Sequence, residues 1–336
     1  MIRDQKVRIS ITKASHWYFF HFYLAHYVKY ATAPFPKEII SFTEDDAVQN
    51  LFIVAFRGSG KSTIITTSYP LWAILGKPQK KFVLILSQTK TQAKQNMMNL
   101  RRELENNTLL KSDLGPFQEE EDEWGSSSIV FSNTGARIMV ASTEQSIRGI
   151  RHNQHRPDLI ICDDVEDIAS AKTRDGRNKT YQWLTGEVIP AGDRNTKLVV
   201  IGNLLHDDSL LMRLRKAVIE KKLEGVFKAY PLLKKEKEII WSGKYPTMDD
   251  VEVERMKLGD EVAWRREYLL EIIPAEDQVI DRKWIKYYDV MPNKSKLHSI
   301  LIGVDLAISE RETADYTAMV TGWVFTDSKT DTYKVY

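Results

Sequence analysis

Five short apolar runs, each the length of a strand, constrain the fold more than any other feature of this chain. Turn residues bound every run, and the runs lie at 51–55, 82–86, 137–141, 159–162 and 198–201. Solid apolar runs of this length are typical of strands that are buried on both faces of a sheet. Helical stretches such as 89–106 separate the runs. This alternation predicts an α/β fold in which a parallel sheet is flanked by helices.

The length and the later part of the sequence indicate further units. At 336 residues the chain is long for one domain, and length alone favours two. From about 206 the pattern becomes helical and charged, and strand-like runs follow at 299–307, 316–325 and 332–336. The expected division is a helical lead-in at 1–50, a core at 51–205, a helical subdomain and linker at 206–280 and an incomplete domain at 281–336.

The composition excludes several classes of protein. Lysine and arginine total 48 against 46 acidic residues, so the net charge of +2 gives no global attraction to nucleic acid. The single cysteine, Cys162, excludes an intrachain disulfide and a cysteine-cluster metal site. Segment 16–30 is aromatic but is interrupted by three histidines and Lys29, so we expect an amphipathic helix and no membrane contact. The acidic tract Glu119–Glu123 is expected to be a solvated loop.

Residues 55–63, AFRGSGKST, follow a predicted strand and precede a helix-compatible segment, which is the context of a phosphate-binding loop. Gly58 and Gly60 let backbone N–H groups face a nucleotide phosphate. Lys61 is expected to neutralise phosphate oxygens, and the Ser62 hydroxyl is expected to bind Mg²⁺. The alternative is a glycine turn that enters an ordinary helix. The candidate nucleotide-binding residues are Ala55, Phe56, Arg57, Gly58, Ser59, Gly60, Lys61, Ser62 and Thr63.

Two residues of this loop depart from the usual pattern. Ala55 stands where the first glycine is commonly found, so the motif is a variant. Arg57 lies inside the loop, where a guanidinium can reach the γ-phosphate and stabilise charge in the transition state. The alternative for Arg57 is an ordinary surface arginine.

A second motif, PDLIICDDVED at 157–167, is an apolar strand that ends abruptly in carboxylates. Carboxylates beside a buried core are costly without a partner, and a bound Mg²⁺ is a natural one. We assign Asp163 to the metal, directly or through water, and Asp164 to orienting or deprotonating the attacking water. Glu166 competes with Asp164 for that second role. Taken alone, the aspartate pair is equally typical of a helix N-cap.

The order of four motifs resembles that of the large terminase subunits of tailed phages. The motifs are AFRGSGKST, IRGIR at 147–151, PDLIICDDVED and VVIGNLLHDDSLL at 199–211. The resemblance implies that Asn203 senses the γ-phosphate and passes its loss to a moving subdomain. It also implies that Arg148 and Arg151 contact DNA or a neighbouring subunit's nucleotide, with a solvated basic loop as the alternative. His206 is expected to be a structural turn residue.

The resemblance extends to the last part of the chain. GVDLA at 303–307 and DYTA at 315–318 are similar to the first two strands of the family's RNase H-like nuclease domain. It implies that Asp305 binds one of two divalent metal ions at a scissile phosphate, and Asp315 is expected to be a turn residue. Because the family's other carboxylates come from later elements, we expect this nuclease part to be incomplete and inactive as an endonuclease.

The function implied by the resemblance is ATP-driven translocation of double-stranded viral DNA into a procapsid. ATP and Mg²⁺ are expected between 55–63 and the aspartate pair. The implied partners are the portal protein, the small terminase subunit and further copies in a ring, in the host cytoplasm and transiently on the procapsid portal. Lys234, Lys235 and Lys237 are weak candidates for DNA contact. Two alternatives stay open, a helicase-like DNA-stimulated ATPase and a non-hydrolysing remnant that docks on portal or DNA.

Overall fold

The computed structural model of the chain describes residues 3–117, 124–234, 238–272, 287, 290, 293–306, 318–327 and 332–335. The chain divides into two units, Met1–Ile273 and Pro274–Tyr336. Some residues singled out in the sequence lie outside the described ranges, and they are the acidic tract Glu119–Glu123, Lys235, Lys237 and Asp315.

The first unit is built on a seven-stranded sheet. Its strands are β1 (Asn50–Ala55), β2 (Phe82–Ser87), β3 (Ser128–Phe131), β4 (Ala136–Ser142), β5 (Leu159–Asp163), β6 (Lys197–Gly202) and β7 (Val226–Tyr230). The spatial order is β3-β4-β2-β5-β6-β1-β7. Every neighbouring pair is parallel except β3 with β4. The five apolar runs are therefore all strands of one mostly parallel sheet, as the sequence predicts.

Helices cover both faces of this sheet. The α-helices of the described residues are α1 (Gln5–Ala14), α2 (His16–Tyr23), α3 (Pro34–Glu44), α4 (Tyr69–Leu75), α5 (Lys90–Asn106), α6 (Thr108–Leu114), α7 (Ile168–Lys172), α8 (Arg174–Trp183), α9 (Ile189–Ala191), α10 (Leu210–Ile219), α11 (Met248–Leu258) and α12 (Glu261–Trp264). Wider π-helical turns adjoin α4, α9 and α12, at Thr63–Ser68, Leu184–Val188 and Arg265–Leu269. Short 3₁₀ turns occur at Ala25–Tyr27 and Lys294–Lys296.

Side chains of the central strands alternate between two hydrophobic cores, one on each face of the sheet. In β1, Leu51 and Ile53 belong to the core beneath α1 to α5. Phe52 and Val54 belong to the opposite core, which includes residues of α9 and α10. All four side chains are at most 1% exposed. Because both faces are buried, these strands read as solid apolar runs and not as alternating patterns. Cys162 is likewise buried, in the second core.

The segment from about 206 is not helical throughout. Val226–Tyr230 forms β7, an edge strand that pairs in parallel with β1. Lys228 interrupts its apolar character and pairs with Glu38 at 2.6 Å. An edge strand needs no continuous apolar run, which is why the sequence pattern did not reveal this one.

The aromatic segment 16–30 is helical only in its first half. The helix α2 ends at Tyr23, and a 3₁₀ turn at Ala25–Tyr27 follows it. Phe19, Phe20 and Tyr23 are buried in the first core. In the ranges that the structure describes, no helix has the length and apolar character needed to cross a membrane.

The second unit contains a three-stranded antiparallel sheet. Its strands are β8 (Leu297–Asp305), β9 (Ala318–Asp327) and β10 (Thr332–Val335), in the order β10-β9-β8. Each strand overlaps one of the three strand-like runs of the sequence. Asp305 is the last residue of β8, its side chain is exposed, and it lies opposite Ala318. The RNase H-like identity of this sheet stays a prediction.

Candidate nucleotide-binding site

Three neighbouring parallel strands bring the polar motifs to one edge of the sheet. The order places β6 between β5 and β1, and all three run in the same direction. Their carboxyl ends are followed by the aspartate pair, by Asn203 and by the glycine-rich loop respectively. Crevices at the carboxyl ends of parallel strands are where open α/β sheets bind ligands. The motifs therefore converge because of the strand order, although they are far apart in sequence.

The glycine-rich loop has a backbone that only its glycines adopt easily. Gly58 and Gly60 have positive φ angles of 75° and 84°, which costs little without a Cβ atom. A Cβ at Gly58 would also lie 2.9 Å from the Lys244 Nζ. The strand side of the loop is fixed by two backbone hydrogen bonds, in which Phe56 N–H donates to Tyr230 O at 3.0 Å and Arg57 N–H donates to Glu267 O at 2.8 Å.

Lys61 connects this loop to the end of β6. Its Nζ donates a hydrogen bond to Asn203 Oδ1 at 3.0 Å. Lys61 is 8% exposed, and Asn203 is half-buried. The contact places a lysine ammonium and a side-chain amide together at the carboxyl edge of the sheet. The two residues that the sequence motifs assign to the phosphates therefore lie in contact.

Asp163 is held by two hydroxyl groups from the helix that follows the loop. Ser62 Oγ donates to Asp163 Oδ1 at 3.1 Å, and Thr66 Oγ1 donates to Asp163 Oδ2 at 2.8 Å. Burial, together with the charge of Asp164, raises the pKa of Asp163 to about 6, against the opposing effect of the Thr66 hydrogen bond. The charge of Lys61 also opposes this shift without cancelling it. A cation bound beside the buried carboxylate would stabilise its charged form further.

Thr66 was not singled out from the sequence. It lies four residues after Ser62, so both hydroxyls lie on the same face of the helical segment. That spacing identifies Thr66 as a second partner of Asp163 once β5 is known to pack against this helical segment.

The helix N-cap reading of the aspartate pair is wrong. The cap of α7 is Asp167, whose Oδ1 accepts the Ser170 N–H at 2.7 Å. Asp164 instead has a left-handed backbone, with φ of 48°, and its N–H donates to Ile201 O at 3.0 Å. Its Oδ1 lies 3.4 Å from the position that a Cβ on Gly202 would occupy. Strained non-glycine residues of this kind concentrate at functional sites, and Asp164 lies beside the end of β6.

Glu166 contacts the start of the next helix, although it lines one small cavity together with Asp164 and Asn203. Its Oε2 accepts the Leu210 N–H at 2.9 Å, at the start of α10. Its Oε1 is buried and has no hydrogen-bond partner among the described residues. Burial raises the pKa of Glu166 to about 7, and the Leu210 hydrogen bond and the charges of Arg213 and Arg177 oppose this shift. Glu166 thus caps α10, whereas Asp164 Oδ1 lies beside Gly202 at the end of β6.

The remaining basic candidates are at the surface. The Arg57 side chain is exposed. Arg148 and Arg151 line an open pocket of about 400 Å³ together with Arg156. Arg148 is paired with Glu187 at 3.3 Å. His206 accepts the Asp208 N–H on Nδ1 at 3.0 Å, which fits its expected role in a turn.

The donor set at Ser62 and Asp163 fits a magnesium ion that is bound together with a nucleotide. One hydroxyl and one carboxylate supply few ligands, and Mg²⁺ characteristically takes the remainder from phosphates and water. In the part of the chain that the structure describes, no group of three or more histidine, cysteine or acidic residues is arranged to hold a metal by itself. The two-metal site expected at Asp305 therefore has no support from the described residues and stays a prediction.

A cavity of about 200 Å³ adjoins the loop. Its walls combine the loop with the segment after α2 and with two residues that follow β7, and the lining residues used below are Gly60, Thr63, Lys29, Tyr30, Trp241 and Lys244. The rings of Tyr30 and Trp241 are 6.0 Å apart, edge to face. The cavity thus has aromatic walls on one side and loop backbone on the other.

The fold and this site define an α/β domain of the phosphate-binding-loop class. Residues 52–184 match the family model described as "Terminase large subunit, T4likevirus-type, N-terminal". The resemblance to terminase large subunits that the motifs indicate is confirmed by this match. No curated protein matches the chain.

Solved terminase structures have a similar fold. The bacteriophage HK97 large terminase is 17% identical with a TM-score of 0.50, and the match covers 91% of this chain and 62% of that one. A large terminase from a thermophilic bacteriophage, solved in complex with ATP-gamma-S, is 11% identical with a TM-score of 0.50, covering 91% of this chain and 68% of that one. The chain thus spans less than two thirds of the length of the HK97 protein.

Proposed function

We propose that this chain is the ATP-hydrolysing part of a terminase large subunit, which drives double-stranded viral DNA into a procapsid. One observation carries the proposal. Lys61 contacts Asn203 while the adjacent Ser62 contacts Asp163, so three motifs from three neighbouring strands meet within hydrogen-bonding distance. The alternative, a glycine turn that enters an ordinary helix, does not account for a buried lysine and a buried carboxylate at the same edge of the sheet.

Each residue has a chemical role in the proposed hydrolysis. The loop N–H groups and Lys61 bind the β- and γ-phosphate oxygens of the substrate ATP. Ser62 and Asp163 would hold Mg²⁺, which neutralises the charge of the phosphates. Asp164 orients the attacking water, and the exposed Arg57 reaches the γ-phosphate. Asn203 loses its phosphate contact when the γ-phosphate leaves.

The adjoining cavity is proposed as the site of the nucleoside. Its aromatic wall, with Tyr30 and Trp241, offers ring surfaces on which a base can stack. The cavity lies against Gly60 and Thr63, where a nucleotide whose phosphates fill the loop would extend. Both wall segments were missed from the sequence, because aromatic residues outside a motif are usually read as core.

The proposed coupling path begins at Asn203 and follows the chain into α10. The loop between them is fixed at its first residue by Lys61, and Glu166 fixes the start of the helix through Leu210. Both anchors come from segments that line the proposed catalytic site. A change at the γ-phosphate is therefore passed to α10 by the loop itself.

The remaining parts of the proposal rest on the family resemblance. They include the portal protein and the small terminase subunit as partners, a homo-oligomeric ring, and action in the host cytoplasm and on the procapsid portal. Arg148 and Arg151 are proposed to contact DNA or a neighbour's nucleotide from the basic pocket. The proposed domain division keeps 51–205 as the ATPase core and 281–336 as the start of an RNase H-like domain, with Asp305 in its metal site.

The function is tested by phosphate release with and without duplex DNA. We expect hydrolysis of ATP that duplex DNA accelerates, and we expect this acceleration to weaken as salt rises, because contacts to DNA phosphates release counterions. The duplex should remain intact in a strand-separation assay run in parallel. Separated strands would favour the helicase-like alternative, and an intact, folded chain that releases no phosphate would favour the docking remnant.

A further inference from the structure

Lys244 lies against the glycine-rich loop but belongs to none of its motifs. It follows β7 in a helical turn, in which Lys244 N–H donates to Trp241 O at 3.2 Å. Its Nζ donates to Gly58 O at 3.0 Å. The ammonium also lies 5.4 Å from the ring centroid of Trp241 and 5.2 Å from that of Tyr245. Lys244 thus reaches the loop across a separation of 186 residues in sequence.

The charge of Lys244 is poorly compensated. Among the described residues its hydrogen-bond acceptor is a single backbone carbonyl, although an ammonium carries three donors. Burial lowers the pKa of Lys244, and the charge of Glu254 only partly opposes this effect. Two ring faces stabilise a cation, but less than a full negative charge does. A negatively charged ligand beside this ammonium would supply both a counter-charge and a further hydrogen-bond acceptor.

The position of Lys244 indicates which anion this is. Lys244 lines the same cavity as Gly58, Gly60 and Thr63. The proposed function places the phosphates of a nucleotide against these loop residues. A lysine stem is long and flexible, so its ammonium can bind a phosphate oxygen while the turn that carries it stays in place.

We infer that Lys244 is a further cationic residue of the nucleotide site, beside Lys61 and Arg57. It binds a phosphate oxygen and thereby couples nucleotide binding at the loop to the segment 238–258. The inference rests on the proposed nucleotide binding at this loop. It gives the segment after β7 a direct contact with the ligand, in addition to its packing against Phe56. Trp241 and Tyr245 of this segment both pack against that ring.

The test compares nucleotide affinities of the full chain and of its Lys244 variants. Binding of a fluorescent ADP analogue is measured with Mg²⁺, and unlabelled ADP and adenosine are used as competitors. For Lys244→Met we expect ADP to bind about tenfold more weakly at low salt, the size of one charge-assisted hydrogen bond. Adenosine affinity should be unchanged, and the ADP defect should shrink as salt screens the charge. Lys6→Met, which removes an exposed lysine on α1, is the matched control.

A second variant separates a charge effect from a structural clamp. Lys244→Gln keeps a donor for the Gly58 carbonyl but has no charge, and Lys244→Arg keeps the charge. We expect weak ADP binding for the glutamine variant and near-normal binding for the arginine variant. If wild type binds ADP and Lys244→Gln binds it with an affinity within twofold of wild type, the inference is overturned but the proposed function stands. A wild-type chain that binds no nucleotide overturns the proposed function and this inference together.

Discussion

Replacing Lys61 with alanine is expected to lower the rate of ATP hydrolysis about 10³-fold, the loss typical of removing one preorganised charge from a transition state. Lys61 is buried at the carboxyl edge of the sheet and already contacts Asn203 at 3.0 Å. Its ammonium is therefore positioned before ATP binds. The measurement is single-turnover phosphate release at saturating ATP, so that weaker binding does not obscure the chemical step.

The matched control for this variant is Lys77→Ala, which removes an exposed lysine that follows α4. We expect it to hydrolyse ATP at the wild-type rate. The unfolding midpoint of Lys61→Ala without nucleotide should fall only slightly, because the variant loses one hydrogen bond to a half-buried amide and the charge of Lys61 near Asp163. If purified Lys61→Ala hydrolyses ATP at more than a tenth of the wild-type rate, the loop is not part of the catalytic site.

The second large effect is expected for Asp163→Asn. Hydrolysis should fall at least about 100-fold, because asparagine cannot supply the negative charge that holds a divalent cation. The amide keeps the size of the side chain and an acceptor for Thr66 or Ser62. It also removes a buried charge beside Asp164, so the nucleotide-free protein should be at least as stable as wild type.

Nucleotide titrations distinguish loss of the metal from a general defect in Asp163→Asn. ADP affinity should be weakened in the presence of Mg²⁺ and unchanged in the presence of a chelator. Asp249→Asn, on the exposed first turn of α11, is the control and should behave as wild type in both. Equal ADP affinities with and without Mg²⁺ in wild type, and no loss in the variant, would contradict the assignment.

Much of the fold could be predicted because its central strands are buried on both faces. A strand such as β1 has no solvent-facing positions, so its sequence is a solid apolar run that few other structures produce. The same reasoning fails for β7, which ends the strand order, has mostly half-buried side chains and carries Lys228. The short β3 pairs antiparallel at the other end of the strand order, where burial alternates and gives a weak signal.

Those residues of the candidate site that lie within sequence motifs could be predicted. Lys61, Asp163 and Asn203 follow strands, and parallel strands bring their carboxyl ends to one edge, so their convergence follows from the fold class. The strand order that makes them neighbours is not encoded in any one of these motifs. The choice between Asp164 and Glu166 depends on a backbone with φ of 48° and on a cap to α10. Neither is visible in the sequence.

Contacts from distant segments could not be predicted. Lys244 contacts Gly58 because β7, which precedes Lys244 in the chain, pairs with β1, which precedes the loop. The sequence around Lys244 contains only turn and aromatic residues, which do not indicate a nucleotide site. Tyr30 lies between two helices in a segment that the sequence suggested was helical. Such residues reach a site through tertiary packing. The pattern of a single sequence does not indicate which loops are in contact.

The most direct measurement is the position of the metal in crystals of the chain grown with Mn²⁺ and a non-hydrolysable ATP analogue. We expect the anomalous signal to lie about 2.1 Å from Ser62 Oγ, with the Asp163 carboxylate bound to the ion or to one of its waters and Lys61 on the γ-phosphate. A nucleotide whose phosphates lie away from Gly60, or a metal too far from Asp163 to share a water with it, would contradict the account.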